Sequence, residues 1–273
     1  MSTLTARPSA LPAGRYRFSG VAGMEWAKLR SLRSTRWAVL ILAVAMTGIA
    51  ILVLRYYPSH WNHMSAQDRA SFDPVNDGYA GLALAQLIIG VLGALAITSE
   101  YSSGMIRATL TAAPGRWRLL AAKAAVFGAA ALLAGEVLAF AAFFAGQAVL
   151  SSPAPHATLG QPGVLRAVLM AGAYLCLIGL IGMGIGAIAR NSAAAICALV
   201  GVVLVLPPLL LAFPDSVQHS AQQFLPEIIA ENSLTAVHPV AYSLSPWAGL
   251  GMLCLYAVAL LGIGGWLLGR RDA

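Results

Sequence analysis

The chain has 273 residues, 59% of them hydrophobic and only 10% charged, with a formal net charge of +7. A soluble domain carries about a quarter charged residues, so this composition excludes an ordinary soluble globule. Apolar runs of about twenty residues recur along the chain, and strand-like alternation is absent. Only helices satisfy their own backbone groups in lipid, so the chain reads as an all-α polytopic membrane protein.

Residues 1–22 are rich in Pro, Ser and Gly and lack the apolar centre of a secretion leader, so they are expected to form a disordered cytoplasmic tail. Residues 23–273 form the expected membrane domain. Its first feature is "GMEWAKLRSLRSTRW", Gly23 to Trp37. On a helical period Met24, Trp26, Ala27 and Leu29 or Leu32 make an apolar face, with Lys28, Arg30 and Arg33 elsewhere. That pattern predicts a basic amphipathic helix over 23–36, lying along the inner membrane surface.

Six transmembrane helices follow, at about 37–54, 79–98, 124–150, 165–189, 193–213 and 247–268. Of the 17 Lys and Arg, 14 fall on the side of both termini, leaving only Arg55, Arg69 and Arg166 opposite. The positive-inside rule therefore places both termini in the cytoplasm of a multi-pass plasma (inner) membrane protein. The positive charge is thereby a topology signal, and nucleic acid is not expected as a partner.

After the second span comes "SEYSSGMIRATLTAAPGRWRLLAAK". Gly104 loosens the chain, "MIRATL" allows about two helical turns, and Pro114 stops them. The segment predicts a short helix at the cytoplasmic edge, suited to docking a soluble partner. Span three carries Glu136 near its midpoint, and an acid at that depth is a functional candidate by its cost alone. The competing reading is a neutral acid hydrogen-bonded to Gln86 or Gln147.

Span four contains "GLIGMGIGAIAR", where Gly182 and Gly186 form a small-residue face for close helix packing within the subunit. "LPPLL" at Leu206–Leu210 is expected to kink span five. The following external segment predicts a short interfacial helix broken at Pro226. All five histidines fall in external loops, and "HWNH" offers an i, i+3 pair without further ligands, so no metal site is assigned. The three cysteines lie in apolar runs and read as small packing residues. No phosphate loop, H-E-x-x-H, G-x-S-x-G or C-x-x-C occurs, which argues against an enzyme and against ATP hydrolysis by this chain.

"E-W-x-K-L-R-S-x-R-S-T-x-W" before span one and "E-Y-x-x-G-x-I-R-x-T-L-x-x-x-P-x-R" after span two resemble the permease subunits of the ABC-2 transporter family. The six-span layout matches as well. The resemblance implies an interface helix holding Glu25, Lys28 and Arg30, and a coupling helix between spans 2 and 3 over Glu100–Leu110. Glu100, Tyr101, Gly104, Met105, Ile106, Arg107 and Leu110 would then belong to the ATPase-coupling interface. It further implies a separate ABC ATPase subunit as partner, a second permease copy or paralogue, and surrounding membrane lipids. No cofactor is expected on this chain; ATP and magnesium would sit on the ATPase. Apolar spans and short external loops point to export of a hydrophobic or amphipathic substrate. The alternative is a self-sufficient proton-coupled transporter or channel working through Glu136.

Overall fold

The computed structural model describes residues 18–31, 33–102, 104, 116–236 and 243–270, and within these every regular element is a helix. Six are long and apolar enough to cross a membrane. A helix α1 (Phe18–Ser31) leads to the first spanning helix α2 (Arg33–His60), then a short α3 (Ala66–Ser71). The chain then passes back and forth through α4 (Leu82–Ser102), α5 (Arg116–Val149) and α6 (Val164–Ala189). The fifth crossing is composite: α7 (Ser192–Val200), a π turn (Gly201–Val205) and α8 (Leu206–Leu210). Two short helices, α9 (Asp215–Gln222) and α10 (Pro226–Leu234), precede the last crossing, α11 (Pro246–Arg270).

The ends of these helices differ from the sequence expectation for identifiable reasons. The first amphipathic helix begins at Phe18, five residues inside the segment expected to be a tail, and Arg33–Arg36 belong to α2. The third crossing starts at Arg116, because "RWRLLAAK" contains, apart from Trp117, only good helix formers after the proline and glycine. Its 34 residues make a rod of about 51 Å, far longer than a bilayer's apolar core. Span five is interrupted, by a register change within the helix. Pro207 and Pro208 have no N–H to give, and the Leu206 amide reaches five residues back to the Gly201 carbonyl.

Pro226 separates two helices as expected of a breaker and opens the second of them. That second helix is not laid on the surface: Ile229, Ala230 and Leu234 are buried against α6 and α11.

Helix α6 is the centre of the bundle, packed against α4, α5 and α11. Lipid tails are as apolar as leucine, so close van der Waals packing has to hold such helices together. Here α4 and α6 approach until backbone meets backbone. A Cβ on Gly182 would lie 2.1 Å from the Gly90 carbonyl oxygen, and one on Gly93 would lie 1.9 Å from that of Gly179. The predicted glycine face of span four is therefore an internal seam.

Gly93→Ala and Gly182→Ala should each lower stability by about 1–3 kcal/mol through overpacking. Gly48→Ala, where a new Cβ meets nothing within 4 Å, should be neutral or stabilising by up to about 1 kcal/mol. Thermal unfolding of the three variants in one detergent checks the contrast.

Candidate functional site

At the end of the bundle where α1 lies, four charged side chains meet. Glu25 and Lys28 are i, i+3 neighbours on one face of α1. Glu100 stands in the last turns of α4, and Lys123 two turns into α5. The Lys28 ammonium donates to Glu25 Oε1 and Glu100 Oε1, both at 2.9 Å. Lys123 Nζ donates to Glu25 Oε2 and, at 2.8 Å, to Glu100 Oε1. The result is a closed ring of two carboxylates and two ammoniums that ties three helices at one point.

Burial makes this ring consequential. The side chains of Glu25, Glu100 and Lys123 are only 4%, 6% and 7% exposed, while Lys28 remains 29% exposed. Surface pairs contribute little, whereas an uncompensated charge in so dry a place costs several kcal/mol. Burial pulls the Lys28 ammonium down, but its hydrogen bonds to Glu100 and Glu25 and their charges outweigh that. Its pKa is held above the ordinary lysine range, so it stays charged at any physiological pH.

Sequence reasoning picked Glu25, Lys28 and Glu100 as interface residues, and the structure brings these three together facing inward. Lys123 closes the basic stretch between spans two and three and carries no role in the sequence reading. It sits on the same face of α5 as buried Leu119, Leu120 and Phe127, and that i, i+3, i+4 spacing is the signal that marks it as inward-facing. Arg30 is not part of the ring; it is exposed, and its carbonyl accepts from Arg36 Nη2 at 3.2 Å.

Tyr101 makes a second joint one residue beyond Glu100. The Arg190 guanidinium lies over its ring, 5.4 Å from the centroid, and donates from Nη2 to the Leu267 carbonyl at 3.0 Å. One aromatic ring thereby connects α4 to the α6–α7 turn and to α11.

Gly104 adopts φ +69°, in the left-handed region, with its amide on the Tyr101 carbonyl at 3.2 Å. That conformation ends α4 and favours glycine there. Met105, Ile106, Arg107 and Leu110 lie outside the described residues, as does the predicted coupling helix they belong to.

Glu136 lies elsewhere, at the middle of α5. Its carboxyl rests on the bare backbone of α6, where a Cβ on Gly172 would come within 2.5 Å of its Cδ. Glu136 Oε2 is buried with no hydrogen-bond partner among the described residues. Neither expected glutamine reaches it. Gln86 Oε1 accepts from the Tyr174 hydroxyl, and Gln147 spans the Pro74 carbonyl and the Ala157 amide.

No group of three or more His, Cys, Asp or Glu stands together as a metal site among the described residues. His60 of the "HWNH" pair stacks on Tyr56, with centroids 3.9 Å apart, and shares a hydrogen bond with the Tyr56 carbonyl.

A family model described as "ABC-2 family transporter protein" matches residues 23–214, most of the chain, from within α1 to the proline that follows α8. No curated protein matches the chain at a significant level.

Removing one member of the ring should be far worse than removing an opposite pair. Lys123→Met is expected to cost about 3–5 kcal/mol, and the double variant Lys123→Met/Glu100→Gln should recover much of that loss. The pair Glu25–Lys28 stays balanced in the double variant. Thermal denaturation of the single and double variants in detergent measures the coupling.

Proposed function

The chain belongs to the ABC-2 transporter family, and from that premise we propose that it is the permease subunit of an ATP-driven exporter, energised by a separate ATPase subunit. In this reading the α1 end faces the cytoplasm, both termini lie there, and the membrane is the plasma membrane. The partner ATPase carries ATP and magnesium, since this sequence contains no phosphate loop. Two permease copies, or this chain and a paralogue, enclose the path. The cargo is hydrophobic or amphipathic, in keeping with spans that offer almost no charge.

The observation that carries the proposal is the ring of Glu25, Lys28, Glu100 and Lys123. Glu100 closes the helix before the coupling segment, Lys123 belongs to the helix after it, and Glu25 and Lys28 belong to the interface helix. A docked ATPase that moves residues 104–115 then moves α1, α4 and α5 together. Glu25, Lys28 and Glu100 serve by fixing these helices to one another, and contact with the ATPase falls to exposed groups such as Arg30. Closure of the nucleotide-binding dimer on ATP selects one of two arrangements of the spans, and hydrolysis releases it.

The chain purified from its native membrane in mild detergent should bring with it an ATPase containing a phosphate loop. Replacing Gly104–Leu110 with a flexible linker should abolish ATP-driven transport in proteoliposomes, with hydrolysis by the ATPase retained. Unchanged coupling in that variant would overturn the assignment. Transport by this chain alone, driven by a proton gradient and lost in Glu136→Gln, would establish the self-sufficient alternative instead.

A further inference from the structure

Beside the charged ring, α1, the first turn of α2, α4 and α5 enclose a cleft of about 440 Å³. That volume lies within the range of small-ligand sites. The cleft has two chemistries. One end holds Lys28 together with the hydroxyls of Ser34 and Thr35. The other is made by Leu92, Leu95 and Ala96, a single face of α4, closed by Phe127 of α5. From Leu92 to Glu100 the helix climbs eight residues, about 12 Å, so the two ends are separated along the bundle axis. Leu95 is 37% exposed, which gives the apolar end a lateral opening on the outer surface of the bundle.

The polar end offers donors from one ammonium and two hydroxyls that the described residues leave unspent. Lys28 spends two of its three N–H groups on Glu25 and Glu100, and the third has no acceptor among the described residues. Ser34 and Thr35 make no hydrogen bond among the described residues through their hydroxyls, in contrast to Ser31, which donates to the Lys28 carbonyl. The ring itself is neutral, with two charges of each sign. Arg30, Arg33 and Arg36, all exposed, flank Ser34 and Thr35 along the chain without lining the cleft, and from Phe18 to Arg36 the one acid is the neutralised Glu25. A spare ammonium N–H, two unspent hydroxyls and a basic flank suit an oxyanion, and the apolar end suits a hydrocarbon tail.

We propose that this cleft binds one anionic phospholipid drawn from the leaflet at the α1 end. Its phosphate oxygens accept from Lys28, Ser34 and Thr35 in the field of the three arginines, and an acyl chain lies along Leu92, Leu95 and Phe127. A cationic amphiphile would meet the arginines unfavourably, and a free phosphate would leave the apolar end unfilled. Bound there, the lipid packs between the interface helix and α4, next to the ring that joins them. This site goes beyond the transport reading and requires only that the chain crosses a membrane.

The test is lipid retention by the full chain, purified in detergent and given equal amounts of phosphatidylglycerol and phosphatidylcholine, read by native mass spectrometry. One phosphatidylglycerol should be retained in about tenfold preference. Two variants keep every charge on the basic face, so non-specific attraction persists in both. Leu95→Trp fills the lateral opening, and Ser34→Ala/Thr35→Val removes the hydroxyl donors; each should cut retention about tenfold with helix content unchanged. Should Leu95→Trp fail to fold, the hydroxyl variant decides. Equal retention of both lipids by the wild type, or wild-type retention in the variants, overturns the site. Neither result depends on the ATPase, so failure here leaves the exporter reading standing, and loss of ATP coupling leaves the lipid site standing.

Discussion

A charge withdrawn from water must take its counter-charge with it, and at the α1 end of this protein that requirement determines where three helices go. Glu25, Glu100 and Lys123 are too deeply covered to be served by solvent, so each must find its partner across a helix boundary. Two of the six spans and the amphipathic helix are therefore registered against one another by electrostatics. Dispersion alone would permit sliding along such featureless apolar surfaces; opposed charges in a dry setting do not. The ring resembles a rivet more than a glue.

At the far end of the bundle the same problem is solved with a different donor set. Asp73, only 5% exposed, accepts from the Val75 and Asn76 amides with one oxygen, and from the Thr235 hydroxyl and the Ala236 amide with the other. Arg166 completes the junction by donating to the Thr235 carbonyl at 2.9 Å. The loop before α4 is thereby stitched to the end of α10. Between these polar junctions the bundle relies on glycine: α4 and α6 touch backbone to backbone, and α5 meets α6 at Gly135 and Gly172. The composite fifth crossing packs its first helix on α4 and α6 through Ala195 and Leu199, while most side chains of its π turn and of α8 are exposed.

Much of this was legible from the residues, for reasons that can be named. Six spans could be counted because each carries about twenty apolar residues without interruption, and lipid leaves such a segment few alternatives. The glycine face of α6 was visible because Gly182 and Gly186 recur at helical spacing. Lys123 escaped because a lysine near the end of a span has an ordinary explanation, snorkelling, that hides a buried role. Its place on the stripe of Leu119, Leu120 and Phe127 was the clue, and it needed the start of α5 at Arg116 to be known first. The partners of Gln86 and Gln147 were beyond reach, since which side chains of different spans face one another depends on helix rotation, which hydropathy does not encode. The cleft beside the ring was hidden for the same reason, because it is bounded by four helices.

The unbroken rod of α5 has one more implication. Lys123 at its outer end and Gly135 at its crossing with α6 are twelve residues apart on a single helix, with no turn between them to absorb an error. One inserted or deleted residue there would rotate everything beyond it by about 100° and carry Lys123 out of reach of both glutamates. The rod therefore keeps phase as well as length, as a camshaft does, and changes in chain length within this lineage should gather in the segments that join the helices.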